Sequence, residues 1–165
     1  MSIEVIEAWR GDLTPISPDL VSPEVPAETA EFLTTVGLPT AEDEDVVFVH
    51  DERLSAPIEH LGRRYVLVAV DVIGFRFGLD LETGVVDILY GPRSQERRFA
   101  NSSLELFVLA RGLFTYDFAE FVAPDPDERL EEGVERLEKS IEERDPPAVA
   151  SDTYWRLLLD GLGES

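Results

Sequence analysis

Apolar residues recur with two different periods along this chain, and the switches between them mark out its elements. Phe75, Phe77, Leu79 and Leu81 alternate with Arg76, Gly78 and Asp80, which predicts a half-buried strand because successive strand side chains point to opposite faces. Thr83-Gly84 follows, and a glycine there supplies the positive φ of a tight turn into a strand over 85–90. Tyr65 to Val70 is apolar at every position, so the strand predicted within 64–71 is central and covered on both faces. Val46 to Val49 adds a short segment of the same kind.

On either side of this block the period lengthens. Ala27 to Val36 carries Phe32, Leu33 and Val36 at helical spacing, and its stop signal is written in the next three residues. With Gly37 as a left-handed residue just past the helix, Leu38 packs back on Leu33 and Pro39 forbids continuation. Asn101-Ser102-Ser103-Leu104 opens another helix, with Asn101 or Ser102 expected as the cap and Ser102 and Glu105 spaced as a capping box. From Leu104 to Phe114 nearly every position is apolar except Glu105 and Arg111, so this is the central helix, buried around most of its circumference. Asp125-Pro126 starts a peripheral one, in which Leu130, Val134, Leu137 and Ile141 form one stripe and Glu132/Arg136 and Glu135/Lys139 are spaced for ion pairs. Pro146-Pro147 ends it, and Ser151 is expected to cap a last short helix over 152–160 containing Tyr154 and Trp155. Pro15, Pro18, Pro23 and Pro26 make 12–26 an extended arm with at most one helical turn near Asp19 to Val21. Strands grouped between helical flanks predict an α+β fold. Residues 1–165 are read as one domain, with 1–26 a Pro-rich N-terminal arm packed on it.

Charge changes the picture most. The 165 residues include 35 acidic against 14 basic side chains, a net charge of −21, and the acids fall in nearly every segment. A folded surface of this kind repels phosphate backbones and anionic lipids and draws in a basic protein, so neither nucleic acid nor membrane is expected as a partner. Solubility or life at high salt would use the same composition. The absence of cysteine excludes a disulfide framework, cysteine-ligated zinc and thiol catalysis, and it suits a reducing compartment. The longest apolar stretch, Tyr65 to Phe75, is broken by Asp71 and is too short to span a bilayer. The opening MSIEVIEAW is acidic where a signal peptide is basic and then apolar. The expected location is the cytoplasm.

Chemistry is sparse. His50 and His60, the only histidines, lack the i,i+4 spacing of a helical metal site, and His50-Asp51-Glu52 would point to opposite faces of a strand. Ser102 and Ser103 lack a nucleophile elbow and fit capping better. Asp80 and Glu82 could share a strand face as glycosidase carboxylates do, but among 35 acids such coincidences are expected, and solvent-exposed carboxylates are the simpler reading. No phosphate-cradling glycine loop occurs. Phe107, Phe114, Phe118 and Phe121 follow helical spacing and read as core. Arg63-Arg64 and Arg97-Arg98 are too few for a nucleic-acid footprint. No catalytic residue, cofactor or metal is expected.

The elements in order carry a resemblance. Glu31-Phe32-Leu33 through Gly37-Leu38-Pro39, then Leu81-Glu82-Thr83-Gly84-Val85-Val86, then Asn101-Ser102-Ser103-Leu104 with Phe107, and finally Asp145-Pro146 followed by Tyr154-Trp155 resemble the SUKH superfamily, in particular its type-four bacterial immunity proteins. The resemblance spans about 29–159. It implies an α+β domain with a curved, mostly antiparallel sheet packed against helices, no catalytic residues, and a cognate toxin as protein partner. Toxins acting on nucleic acids tend to be basic, and an acidic antidote would be steered onto them. Contact candidates, chosen for loop position and charge, are Glu42, Asp43, Glu44, Asp45, Asp51, Glu52, Asp80, Glu82 and Asp87. Gly37, Leu38, Pro39, Gly84, Asn101, Ser102, Leu104, Phe107 and Trp155 are the motif residues expected to hold the fold. A regulatory or scaffold module without a toxin is the alternative the superfamily implies, and a hydrolase using His50 or His60 is a third reading.

Overall fold

The computed structural model describes residues 2–40, 45–91 and 96–164. Helix α1 (Ser2–Ala8) is followed by the short strand β1 (Leu13–Thr14), a single 3-10 turn at Pro18–Leu20, α2 (Ala27–Thr35) and β2 (Leu38–Pro39). Then come β3 (Val46–Phe48), β4 (Ile58–His60), β5 (Arg63–Asp71), β6 (Arg76–Asp80), β7 (Val86–Leu89) and β8 (Arg97–Asn101). Helix α3 (Leu104–Gly112) continues through a π turn, Leu113–Phe118, into α4 (Ala119–Val122), and α5 (Pro126–Arg144) and α6 (Tyr154–Gly163) follow. The fold is α+β, as expected.

The sheet is antiparallel throughout, in the order β3-β5-β6-β7-β8, with β4 sharing the β3 edge of β5. Val47 faces Val70 across one half of that edge and Glu59 faces Arg64 across the other. The sheet curls until its two ends meet. His60 Nε2–H donates to the Glu96 carbonyl at 3.2 Å, and Arg97 Nη1 donates to the His60 and Leu61 carbonyls at 3.3 Å each. One face carries Val66, Val68, Phe77, Leu79, Val86 and Ile88 into a core shared with Val5 and Trp9 of the N-terminal segment, Leu33 of α2 and Phe107 of α3. A second cluster lies on the other side of α3, where Ala110 meets Leu137, Ile141, Trp155 and Leu159. The central place of α3 is thus that of a helix between two cores.

Gly37 shows why α2 stops where it does. Its φ is +89° and its N–H donates to the Phe32 carbonyl at 2.9 Å. A Cβ there would stand 1.9 Å from the Thr14 carbonyl oxygen, so both the left-handed backbone and the close approach of β1 demand glycine. Leu33, Leu38 and Pro39 are buried beneath this turn.

Several sequence expectations are corrected. The arm holds its one 3-10 turn, but a whole helix, α1, precedes it, anchored by buried Val5 and Trp9. Trp9 Nε1 donates to the Val108 carbonyl at 2.7 Å, and its ring meets Phe48 and Tyr116 edge to face. Strands β4 and β8 were not expected. β6 is buried on both faces, because Tyr65 and Leu89 close over Gly78 on the side away from the helices. The cap of α3 is Ser103, whose Oγ accepts from Leu106 N–H at 3.2 Å, and neither Asn101 nor Ser102 fills that role. The cap of α6 is Thr153, whose hydroxyl accepts from Arg156 N–H at 3.1 Å, and Ser151 stands outside the helix. Arg136 lies over the Phe121 ring, 4.3 Å from its centroid. Of Phe107, Phe114, Phe118 and Phe121 only Phe107 is fully buried, the other three being half-buried.

Candidate interaction surface and its supporting network

Three of the motif residues converge on one buried carboxylate. Asp145, just past α5, accepts from Asn101 Nδ2 at 3.0 Å, from Ser102 N–H at 2.9 Å and from the Ser102 hydroxyl at 2.6 Å. Asn101 Oδ1 in turn accepts from Trp155 Nε1 at 2.8 Å. The end of β8, the end of α5 and the start of α6 are thereby tied at a point where Asn101, Asp145 and Trp155 are buried, Ser102 is half-buried and each polar group has its partner. Ser102 cannot cap α3 because its hydroxyl is committed to Asp145. This network joins three elements and presents little to solvent beyond Ser102.

The sheet face turned away from the helices carries a second polar group. Tyr65 Oη donates to Asp87 Oδ2 at 2.8 Å, and Arg63 Nη1 stands 3.7 Å from Asp87 and 3.8 Å from Asp80. Asp80 Oδ1 accepts from the Glu82 and Thr83 N–H groups at 2.8 and 3.1 Å. That Asx-type closure, with Gly84 at φ +80°, shapes the β6–β7 turn. Burial raises the Asp87 pKa, against the opposing pull of the Tyr65 hydrogen bond and Arg63. Burial, with the Asp87 hydrogen bond, pushes the Tyr65 phenol up to about 12. These are groups costly to ionise in place, held by a half-exposed arginine.

The nine contact candidates do not form one patch. Glu42, Asp43 and Glu44 lie outside the described residues. Asp45 is exposed at the start of β3. Asp51 is wrapped by its neighbour: Arg53 donates to it from Nε at 2.9 Å, Nη2 at 2.8 Å and the backbone at 3.0 Å, holding its pKa down to about 2. Glu52 is exposed in the 3-10 turn that follows, and Glu82 is exposed at the β6–β7 turn. Asp80 and Asp87 are only 2% and 3% exposed. The expectation that loop carboxylates face solvent fails for these two, because one closes a turn and the other is roofed by Tyr65. Asp45 stands by the β5–β6 hairpin and Asp80 at the far end of β6, so candidates near each belong to opposite ends of the sheet.

The histidines are occupied with backbone. His50 Nε2–H donates to the Pro39 carbonyl at 2.8 Å, and His60 to Glu96 as above. Among the described residues no group of His, Asp or Glu side chains is arranged to hold a metal ion, and no helix is long and apolar enough to cross a membrane.

Six arginines are paired with carboxylates of the chain itself. Arg10 pairs with Glu120, Arg53 with Asp51, Arg64 with Glu24, Arg98 with Asp152, Arg144 with Glu4 and Arg156 with Glu138. What remains outward is predominantly acidic: on α5, Asp127, Glu128, Glu131, Glu132, Glu135, Glu142 and Glu143 are exposed against the cations Arg129, Arg136 and Lys139. One signal missed from sequence lies at the β5–β6 turn, where the apolar pair Val72-Ile73 is exposed. Its place directly after the predicted strand 64–71 could have revealed it.

No curated protein and no solved structure matches this chain. The family model of the SUKH-4 immunity protein matches residues 6–160, which takes in the end of α1, every element from β1 to α5, most of α6 and all the motif residues named above. The chain belongs to the SUKH-4 immunity protein family.

Proposed function

We propose that this protein neutralises a basic, nucleic-acid-targeting toxin in the cytoplasm by covering its cationic surface, with no catalysis of its own. Family membership supports an immunity role with a protein toxin as partner. The observation that carries the finer reading is the excess of exposed carboxylates over exposed cations. A net charge of −21, with six arginines already paired to carboxylates, leaves a strongly negative outward field, which accelerates encounter with a basic surface and disfavours phosphate backbones and anionic lipids. The engagement of both histidines with backbone carbonyls speaks against the hydrolase reading.

The test is binding of the purified chain to the toxin domain encoded beside its gene, measured at rising salt. Association should be fast at low salt and slow steeply as salt screens the field. Absence of binding to any neighbouring toxin at low salt would sink the proposal, and so would an association rate indifferent to salt.

A further inference from the structure

The β5–β6 hairpin breaks the logic of the rest of the surface. Turn tips ordinarily carry Gly, Asn, Asp or Ser. Here the tip is Asp71-Val72-Ile73-Gly74, with Val72 67% and Ile73 73% exposed. Beside it on the edge strand β3, Val47 is 47% exposed and paired with Val70. Three bulky aliphatic side chains therefore share one end of a sheet in a strongly acidic chain; the other exposed aliphatics, Ile3 and Ile6 on α1, Leu61 and Leu157, lie elsewhere.

The tip is also rigid. Asp71 Oδ1 accepts from Ile73 N–H at 3.0 Å and Phe75 N–H at 2.9 Å, and the Asp71 carbonyl accepts from Gly74 N–H at 3.0 Å. Asp71 N–H donates to the Phe75 carbonyl at 2.8 Å, and Val72 N–H donates to the Asp45 carbonyl at 3.0 Å. Phe75 is braced from behind by the Tyr90 ring, edge to face at 4.8 Å. Two β-branched side chains on so fixed a backbone lose little freedom when buried, which is what an interface anchor requires.

We propose that Val72 and Ile73 are the anchor of the toxin interface, inserting into an apolar pocket rimmed by basic side chains, a proposal that rests on the reading given under Proposed function. Charge decides the partner's rim: Asp45 is exposed next to the tip, and the sequence leading into it is Glu42-Asp43-Glu44. The acidic surface sets the rate of encounter, and the tip sets how long the complex lasts.

The experiment compares the wild type, the double variant Val72→Ser/Ile73→Ser and the control Leu157→Ser, which alters an exposed leucine on α6. Each is titrated against the toxin domain encoded beside the gene, with association and dissociation rates recorded. The double variant should bind about 30-fold more weakly, through faster dissociation, with its association rate and salt dependence kept. Its melting temperature should equal that of the wild type, and Leu157→Ser should bind like the wild type. Toxin binding by the double variant within about threefold of wild type overturns this inference and leaves the proposed function standing. If the wild type itself binds no neighbouring toxin, both fall. A free chain that dimerises in sedimentation, and that the double variant renders monomeric, also overturns it by assigning the tip to a second copy.

Discussion

Replacing Asp145 by alanine probes the network under the motif residues. The carboxylate accepts three hydrogen bonds, and two of the donors that would be stranded, Asn101 Nδ2 and Ser102 N–H, have no described alternative. A buried donor left without a partner costs about 1–3 kcal/mol. Two such donors, with the Ser102 hydroxyl free to turn elsewhere, give a loss of about 4 kcal/mol. That is a large share of the about 5–15 kcal/mol by which domains are stable. At about 2–4 °C per kcal/mol for a chain of this size, the melting temperature should fall by about 12 °C. Urea unfolding followed by circular dichroism and by tryptophan fluorescence reads it directly, since Trp155 reports the same network through Asn101. Asn101→Ala strands the Trp155 indole and one Asp145 oxygen, so the double variant should lose clearly less than the sum of the singles. A loss below about 1 kcal/mol for Asp145→Ala, or strict additivity in the cycle, would refute the network as the tie between β8, α5 and α6.

Three further outcomes follow from geometry and charge. Gly37→Ala combines φ +89° with a Cβ 1.9 Å from the Thr14 carbonyl oxygen and should cost more than about 3 kcal/mol, whereas Gly84→Ala, whose nearest atom would be Pro26 Cγ at 3.9 Å, should cost about 1 kcal/mol; equal losses in urea melts would contradict this. The Tyr65 phenol is raised to about 12 from the usual 10, so its share of stability is present below pH 10 and is lost as pH rises through about 12, a fall of about 3 kcal/mol. Tyr65→Phe should show no such alkaline fall in chemical melts across that range. Asp87 is raised from the usual 3.8 by burial, so the stability it contributes is present below that value and lost as pH rises through its folded value. Asp87→Asn should therefore match the wild type near pH 3 and exceed it at pH 7, and a constant difference between the two would refute the sign.

The strands with period-two patterning and the helices with long apolar stripes were legible in sequence because each pattern is satisfied locally. What escaped was decided across the chain. The α1 helix buries Val5, and Trp9 just past its end, in an acidic stretch with no stripe to speak of, and its place comes from that tryptophan reaching Val108, 99 residues away. β8 opens with two arginines, which read as surface until Arg97 is seen bracing the β4 turn. Ser102 and Glu105 satisfy the spacing of a capping box, yet Asp145, 43 residues on, outcompetes the helix for the serine hydroxyl. The contact candidates were chosen on charge and loop position, and neither property says that Asp80 turns inward to close its own loop. The Val72-Ile73 tip was hidden by its continuity with the apolar strand before it.

The meeting of the sheet's two ends bears on how the chain behaves at high concentration. Unpaired strand edges invite other chains to continue the ladder. Here the β4 turn and β8 are turned toward one another and pinned by Arg97, and the β3 edge is only three residues long. The most exposed aliphatic pair stands on a turn, where there is no row of amides to extend. The apolar tip thus adjoins an edge that offers another chain only three residues of ladder, which limits how far such a contact could propagate.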